Sequence, residues 1–168
     1  AVEYQKQVSK VSSMPPTMAT DNPLLKSTNA RRRAGVIPKY AFGPPGGDFK
    51  ENVSVIKSVL SPGFSLKGTF GDAQEGSKEL LNKFIAPPGS GKEWTLLNAF
   101  EEVRGPGYLV YQFEYIIKTS KVELHNIGVV TARNNNLYTL IVLAPENEWF
   151  GQKQKELSQV ASSFQLTF

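Results

Sequence analysis

The 168-residue sequence predicts an α+β fold, an antiparallel β-sheet meander flanked by helices in an α-β-α sandwich, with an extended N-terminal arm. Four apolar segments rich in β-branched and aromatic residues follow one another between residues 94 and 144, joined by short turns that suit antiparallel neighbours. A helical apolar pattern precedes these segments and another follows them. With 40% hydrophobic residues, a chain of this length can bury one core.

Residues 1–48 are predicted to form the arm, and residues 49–168 the folded domain. The arm is rich in Pro, Ser, Thr and Asn and has no sustained periodicity, which is typical of extended or disordered segments. It contains seven basic residues against three acidic ones, whereas the remainder balances twelve against twelve. All of the excess positive charge therefore lies in the arm.

The first half of the domain is predicted to contain one strand and one helix. Asn52–Val59 alternates as a strand, and residues 64–70 are expected to add a short extended piece. Asp72 and Ser77 are alternative N-caps for the helix that follows, which ends before Pro87.

The second half is predicted to contain four strands and a closing helix. The strands are Trp94–Val103, Tyr108–Lys118, Lys121–Ala132 and Leu137–Ala144. The last of these is almost continuously apolar, which favours burial on both faces. Pro145 suits the first turn of the closing helix, whose apolar face would run from Trp149 to Phe164 and include Val160.

The end of the chain resembles the PsbP family. The motifs that carry the resemblance are LYTL at 137–140, APE at 144–146, Glu148-Trp149 and the segment SFQL at 163–166. Similar segments occur upstream, so the resemblance covers residues 52–168 and has the order and spacing of the family. It implies the α-β-α fold that the residue patterns also predict.

The resemblance implies a non-enzymatic extrinsic protein of the chloroplast thylakoid lumen, peripheral to the membrane. Its first expected partner is photosystem II, where the family acts at the oxygen-evolving complex. Ca²⁺ and Cl⁻ retention would then be indirect, by shielding, with no firmly bound cofactor. The family's GF-x-L-x-x-P-x-x-W hairpin is absent and the arm differs, which leaves open an assembly or accessory role for photosystem I or the chloroplast NDH complex. A Ran-binding-type interaction module, which shares the fold, is an alternative of another class.

His125 is the only histidine, and no G-x-S-x-G motif supplies a nucleophile for it. A structural role is favoured over a hydrolase or a metal enzyme. In the family, a histidine at the matching position lies near an acidic residue after the last strand and is linked to metal or partner contacts. By this resemblance, His125 and Glu146 form the predicted metal or partner site. The other carboxylates lack the spacing of a calcium loop.

The predicted partner-binding residues are basic and lie in the arm: Arg31, Arg32 and Arg33, with Lys26 and Lys39. Such a cluster can pair with acidic side chains or an anionic surface, or can be a solvated loop or a retained transit-peptide fragment. No nucleic-acid partner is expected, because no aromatic residues interleave with the triplet. Residues 88–92 do not have the spacing of a phosphate-binding loop. The absence of cysteine excludes a disulfide scaffold. No apolar run is long enough to span a bilayer.

Overall fold

The computed structural model describes residues 38–44 and 50–167. In this part of the chain, six strands form one antiparallel sheet with the order β1-β2-β6-β5-β4-β3. The strands are β1 (Tyr40–Phe42), β2 (Asn52–Val59), β3 (Glu93–Arg104), β4 (Tyr108–Lys118), β5 (Glu123–Arg133) and β6 (Asn136–Pro145). Strands β3 to β6 are consecutive neighbours, which confirms the predicted meander.

One face of the sheet is covered by the helices of the first half. These are α1 (Leu66–Phe70) and α2 (Ala73–Leu80), and a π-helical turn (Leu81–Ile85) continues α2. They pack on the aromatic side chains of Tyr111, Phe113 and Tyr115, which alternate along β4. The helix ends before Pro87, as predicted.

The other face is covered by the chain that follows β6. A 3₁₀ turn (Glu146–Glu148) leads into helix α3 (Gln152–Ser163), whose Leu157 and Ala161 pack on the inner valines of the sheet. The sheet therefore lies between two helical layers, the α-β-α arrangement predicted. Strand β6 is central, and its side chains are buried on both faces.

Residues 66–70 form a helix, so the expectation of an extended piece over residues 64–70 was wrong. Ser65 caps α1 by accepting a hydrogen bond from the Gly68 amide at 3.0 Å, and Leu66 and Phe70, four residues apart, are both buried. Of the two candidate caps for α2, the structure selects Asp72. Its Oδ1 accepts hydrogen bonds from the amides of residues 74 and 75.

The closing helix was expected to begin at Pro145, but it begins later, at Gln152. Pro145 is the last residue of β6, and Gly151 adopts a positive φ of 80° that interrupts the helical path before α3 begins. Trp149 therefore lies outside α3, although it is completely buried. Val160 is 36% exposed, because the inward face of α3 follows Leu157 and Ala161.

Arg104 ties the end of β3 to the end of α3. Its Nη1 donates to the carbonyl oxygens of Ala161 at 2.9 Å and Phe164 at 3.0 Å, and its Nη2 donates to Gln112. Ala161 lies in the last turn of α3, and Phe164 directly follows the helix, with its amide donating to the Ala161 carbonyl at 3.4 Å. Carbonyl oxygens at a helix end lack part of the intrahelical donors found further inside. The guanidinium thus stabilises both the helix end and its position on the sheet.

The predicted arm lies mostly outside the described residues. Its residues Tyr40–Phe42 form the edge strand β1, which pairs with Val53–Val55 of β2. Among the described residues, no helix has the length and apolar character needed to cross a membrane.

Candidate functional site

His125 lies between two glutamates on the face of the sheet that carries α3. Its Nδ1 is 2.6 Å from Glu146 Oε2, and its Nε2 is 2.6 Å from Glu114 Oε1. The pairing of the strands explains this arrangement. His125 pairs with Ile116 of β4, and Glu114 lies two residues before Ile116, on the same face of the sheet. Glu146 directly follows β6, whose Ala144 is the other neighbour of His125.

The two carboxylate contacts couple the protonation of the imidazole to that of the glutamates. An ionised carboxylate only accepts, so two ionised glutamates require both ring nitrogens to donate. The imidazole then carries a positive charge and forms two charge-assisted hydrogen bonds. Neither nitrogen is left free to activate a hydroxyl nucleophile, so the arrangement does not resemble a hydrolase triad.

Trp149 closes the site from the third side. Its ring stacks on that of His125 with centroids 3.9 Å apart and an interplanar angle of 9°. The indole face favours a cation, so the stack supports the charged imidazole. Trp149 Nε1 is buried without a hydrogen-bond partner among the described residues. The histidine is therefore fixed at both edges and on one face of its ring.

The structure brings the predicted pair His125 and Glu146 together, and metal binding there stays a prediction. A metal ligated by His125 would have to displace a glutamate, because each nitrogen already faces one. The part of the chain that the structure describes contains no group of three or more His, Cys, Asp or Glu side chains arranged to hold a metal ion. The geometry fits an ion-paired structural centre better than a metal centre.

A cleft of about 620 Å³ opens beside this centre. Glu146 forms part of its wall, and the turn at residues 121–123 and Pro44 line other sides. Phe150, at the rim, has 69% of its surface exposed.

Two glutamates that line the cleft form ion pairs with the same lysine, Lys153. Lys153 Nζ lies 2.6 Å from Glu51 and 3.0 Å from Glu148, both of which line the cleft. Lys153 donates hydrogen bonds to these two carboxylates, and these bonds, the one to Glu51 first, raise the pKa of Lys153. The lysine thereby joins the start of β2 to α3 and offsets part of the negative charge of the wall.

Lys39 is the one predicted partner-binding residue that falls within the described residues, and it does not line this cleft. Lys39 is exposed before β1, with its Nζ 5.3 Å from the ring centroid of Tyr40. Lys26 and the triplet Arg31, Arg32 and Arg33 lie outside the described residues.

Sequence reasoning missed Glu114 and the stacking of Trp149 on the histidine. Glu114 belongs to the carboxylates that lack the spacing of a calcium loop, and its strand alone does not link it to His125. The register of β4 against β5 was the signal that could have found it, since Glu114 lies diagonally across from His125.

Comparisons with known proteins agree with the fold. The PsbP family model matches residues 28–166. PsbP domain-containing protein 7, chloroplastic, of Arabidopsis thaliana is 33% identical over 143 residues, which cover 82% of this chain and 49% of that protein. CyanoP of Thermosynechococcus vestitus is 29% identical over 119 residues, which cover 68% of this chain and 63% of that protein.

A solved structure shows the same fold. The solution structure of CyanoP from Synechocystis sp. PCC 6803 superposes with a TM-score of 0.59 at 23% identity, covering 71% of this chain and 69% of that one. The chain spans about half the length of the first of the curated relatives and 63% of CyanoP.

Proposed function

The chain belongs to the PsbP family, and we propose that it is a non-enzymatic accessory protein that docks on a photosynthetic membrane complex. The observation that carries the proposal is the cleft beside His125, with the exposed ring of Phe150 at its rim. An exposed aromatic ring next to a polar, ion-paired wall has the composition of a protein-binding site, in which aromatic anchors supply most of the binding energy.

The rigidity of the site supports docking over catalysis. The imidazole is held by Glu114 and Glu146 and stacked on Trp149, so the Glu146 side chain in the cleft wall is already positioned before a partner binds. A preformed surface of this kind binds with little loss of conformational entropy. The same contacts leave the only histidine without a free nitrogen for acid-base chemistry.

Photosystem II is the first partner we propose, and the chloroplast thylakoid lumen is the proposed location. Two relatives are named chloroplastic, PsbP domain-containing protein 7 and PsbP-like protein 1, and these names support the compartment. In this role the protein would retain Ca²⁺ and Cl⁻ at the oxygen-evolving complex by shielding it. Our second candidate is an accessory role for photosystem I or the chloroplast NDH complex, because the names of the relatives specify no photosynthetic complex.

The basic arm is the second part of the proposed docking surface. Arg31, Arg32 and Arg33, with Lys26 and Lys39, carry charge that would pair with acidic loops of the partner. Binding by these side chains should weaken with salt, because exposed charges are screened. Contacts made by Phe150 should depend on salt much less.

The test is a pull-down from solubilised thylakoids at low and high salt. The bait is the full chain, the triple variant Arg31→Ala, Arg32→Ala and Arg33→Ala, or Phe150→Ala. Recovery of photosystem II core subunits supports the first candidate, and recovery of photosystem I or NDH subunits supports the second. The triple variant should lose the salt-sensitive part of binding, and Phe150→Ala the part that persists in high salt.

Matched controls identify the surface. A variant with Lys78, Lys118 and Lys155 all changed to Ala removes the same charge from exposed sites of the domain. Val59→Ala removes an exposed apolar side chain from β2, outside the lining of the cleft. Both controls should bind like the unchanged chain. Equal losses in the controls and the test variants would contradict the proposed surface, and failure to recover any photosynthetic subunit would contradict the function.

A further inference from the structure

Strand β3 is an open edge of the sheet. It is twelve residues long and pairs with β4 on one side. Within residues 38–44 and 50–167, no strand pairs with its outer side. An unpaired edge presents a row of backbone donors and acceptors to any strand that can align with it.

The two edges of the sheet are built differently. The β1 edge is only three residues long, which limits pairing. In contrast, β3 is twelve residues long and contains no Lys or Pro, although it carries four charged side chains and a bulge at Leu97. It also exposes three large apolar side chains, those of Leu97, Phe100 and Val103. Such a strand is suited to pairing.

The sequence of β3 is complementary to itself in antiparallel orientation. All of its residues except Leu97 pair with β4, and Ala99 is the middle one of these paired positions. A two-fold axis at Ala99 would align two copies of β3 over their whole length. Residues directly opposite each other would then have the same hydrogen-bonding orientation, as an antiparallel ladder requires.

This register places favourable pairs at both ends. Glu93 lies opposite Arg104 of the second copy, whose guanidinium already bonds Glu102 and α3 within its own chain, so its charge attracts Glu93 without a new hydrogen bond. Trp94 lies opposite Val103, and each pair occurs twice. The other two glutamates of β3 lie opposite Leu96 and Thr95, so no like charges meet. The small side chain of Ala99 meets its own copy on the axis.

We propose that β3 is a self-association edge, through which two copies of the chain join their sheets by antiparallel β3–β3 pairing about Ala99. A second copy of the chain is the expected partner, because the charged and apolar side chains of β3 are complementary to those of another β3. The pairing is independent of the cleft at Phe150, so its test does not depend on the proposed function.

The first test measures the mass of the full chain in solution by sedimentation velocity over a range of concentrations. A concentration-dependent dimer is expected. Val103→Lys, at a position 68% exposed, removes two Trp94–Val103 contacts from each dimer and should raise the dissociation constant by about tenfold. Val59→Lys, at the other edge and 71% exposed, is the matched control and should change it little.

The second test uses the absence of cysteine, which means that a single introduced cysteine can only join two chains. Ala99→Cys should give a disulfide-linked dimer under mild oxidation, because its copies face each other across the axis. Val59→Cys should not. A monomer at all concentrations, equal effects of the two lysine variants, or equal cross-linking of the two cysteine variants would overturn the proposal. Selective cross-linking of Ala99→Cys to a subunit of the host complex would also overturn it, in favour of an extended partner segment.

Discussion

At the scale of single residues, His125 joins Glu114 of β4 to Glu146 in the cleft wall. Its two ring nitrogens contact these carboxylates, and only 3% of its surface is exposed. Removing the ring would leave two carboxylates facing a vacated space with no positive charge between them. The cost of an unpaired, partly buried charge exceeds the value of the ion pair itself.

We therefore expect His125→Ala to lower the free energy of unfolding by about 2–4 kcal/mol. Urea denaturation at neutral pH measures this loss. Glu123→Ala, an exposed position at the start of the same strand, is the control and should change stability little. A stability of His125→Ala equal to that of the control would show that the ion pairs have no net effect.

Gly128 is a second residue on which the packing depends. It lies opposite Phe113 in the register of β4 and β5, and a Cβ added to Gly128 would come within 2.6 Å of the Phe113 ring. The ring thus occupies the space that a side chain would need. Glycine is required here for close approach, since its φ is not in the left-handed region.

Gly128→Ala should reduce the free energy of unfolding by about 1–3 kcal/mol through overpacking. Phe113→Leu makes room at the same place, so the double variant should cost less than the sum of the two single variants. Thermal or urea unfolding of the four proteins measures the coupling. Strict additivity would mean that the ring is not the obstacle.

The sequence predicted part of the site, and the missing part depends on tertiary structure. His125 and Glu146 were identified through the family resemblance. The position of Glu114 next to His125 depends on the register between β4 and β5. The alternation of apolar and polar residues within one strand does not show this register. Trp149 was assigned to a helix face, although its burial comes from the turn before α3.

At the scale of elements, long periodic segments were predictable and short ones were not. The four strands of the meander follow from their apolar runs and turns, and their observed bounds lie close to those predicted. The five-residue helix α1 shows less than two turns of periodicity, so its Ser65 cap and its buried Leu66 and Phe70 decided its form. Similarly, the positive φ of Gly151 moved the start of α3 to Gln152.

The contact between the start of β2 and α3 depends on Lys153. This lysine joins Glu51 to Glu148, and both carboxylates raise its pKa. A raised pKa in the folded state means that the charged lysine stabilises the fold below its pKa in the unfolded chain. This contribution is lost as pH rises through the higher folded value.

Lys153→Met should lower the free energy of unfolding by about 1 kcal/mol at pH 7. The difference from the unchanged chain should shrink as the pH rises above the ordinary lysine pKa of about 10.4. Urea unfolding at several pH values measures both effects. Lys155→Met, an exposed position on the same helix, is the control. A pH-independent difference would assign the loss to packing of the lysine stem.

At the scale of the whole molecule, the arm and the sheet meet at β1. Residues 1–37 precede it, and the edge strand Tyr40–Phe42 pairs with β2. A truncation that separates docking from folding must therefore end before residue 38. Removal of residues 1–47 also deletes β1 and leaves the outer side of β2 without this partner.

We expect deletion of residues 1–37 to keep the thermal midpoint of the domain and to abolish salt-sensitive docking. Deletion of residues 1–47 should abolish the same docking and also lower the midpoint, because the β1–β2 hydrogen bonds are lost. Calorimetry and the thylakoid pull-down measure the two effects separately. Normal docking of the shorter deletion would contradict a role for the arm.

The sheet order also has a consequence for the sequence of events in folding. Strands β3 to β6 pair through short hairpins, whereas β2 must pair with β6, from Val59 with Asn136 to Asn52 with Leu143. Closing that long loop costs chain entropy that the hairpins do not require. On a chain made or translocated from its N-terminus, β2 therefore remains without its main partner until almost the entire domain has emerged. We expect the meander to be the early product of folding, with β2 and then β1 completing the sheet.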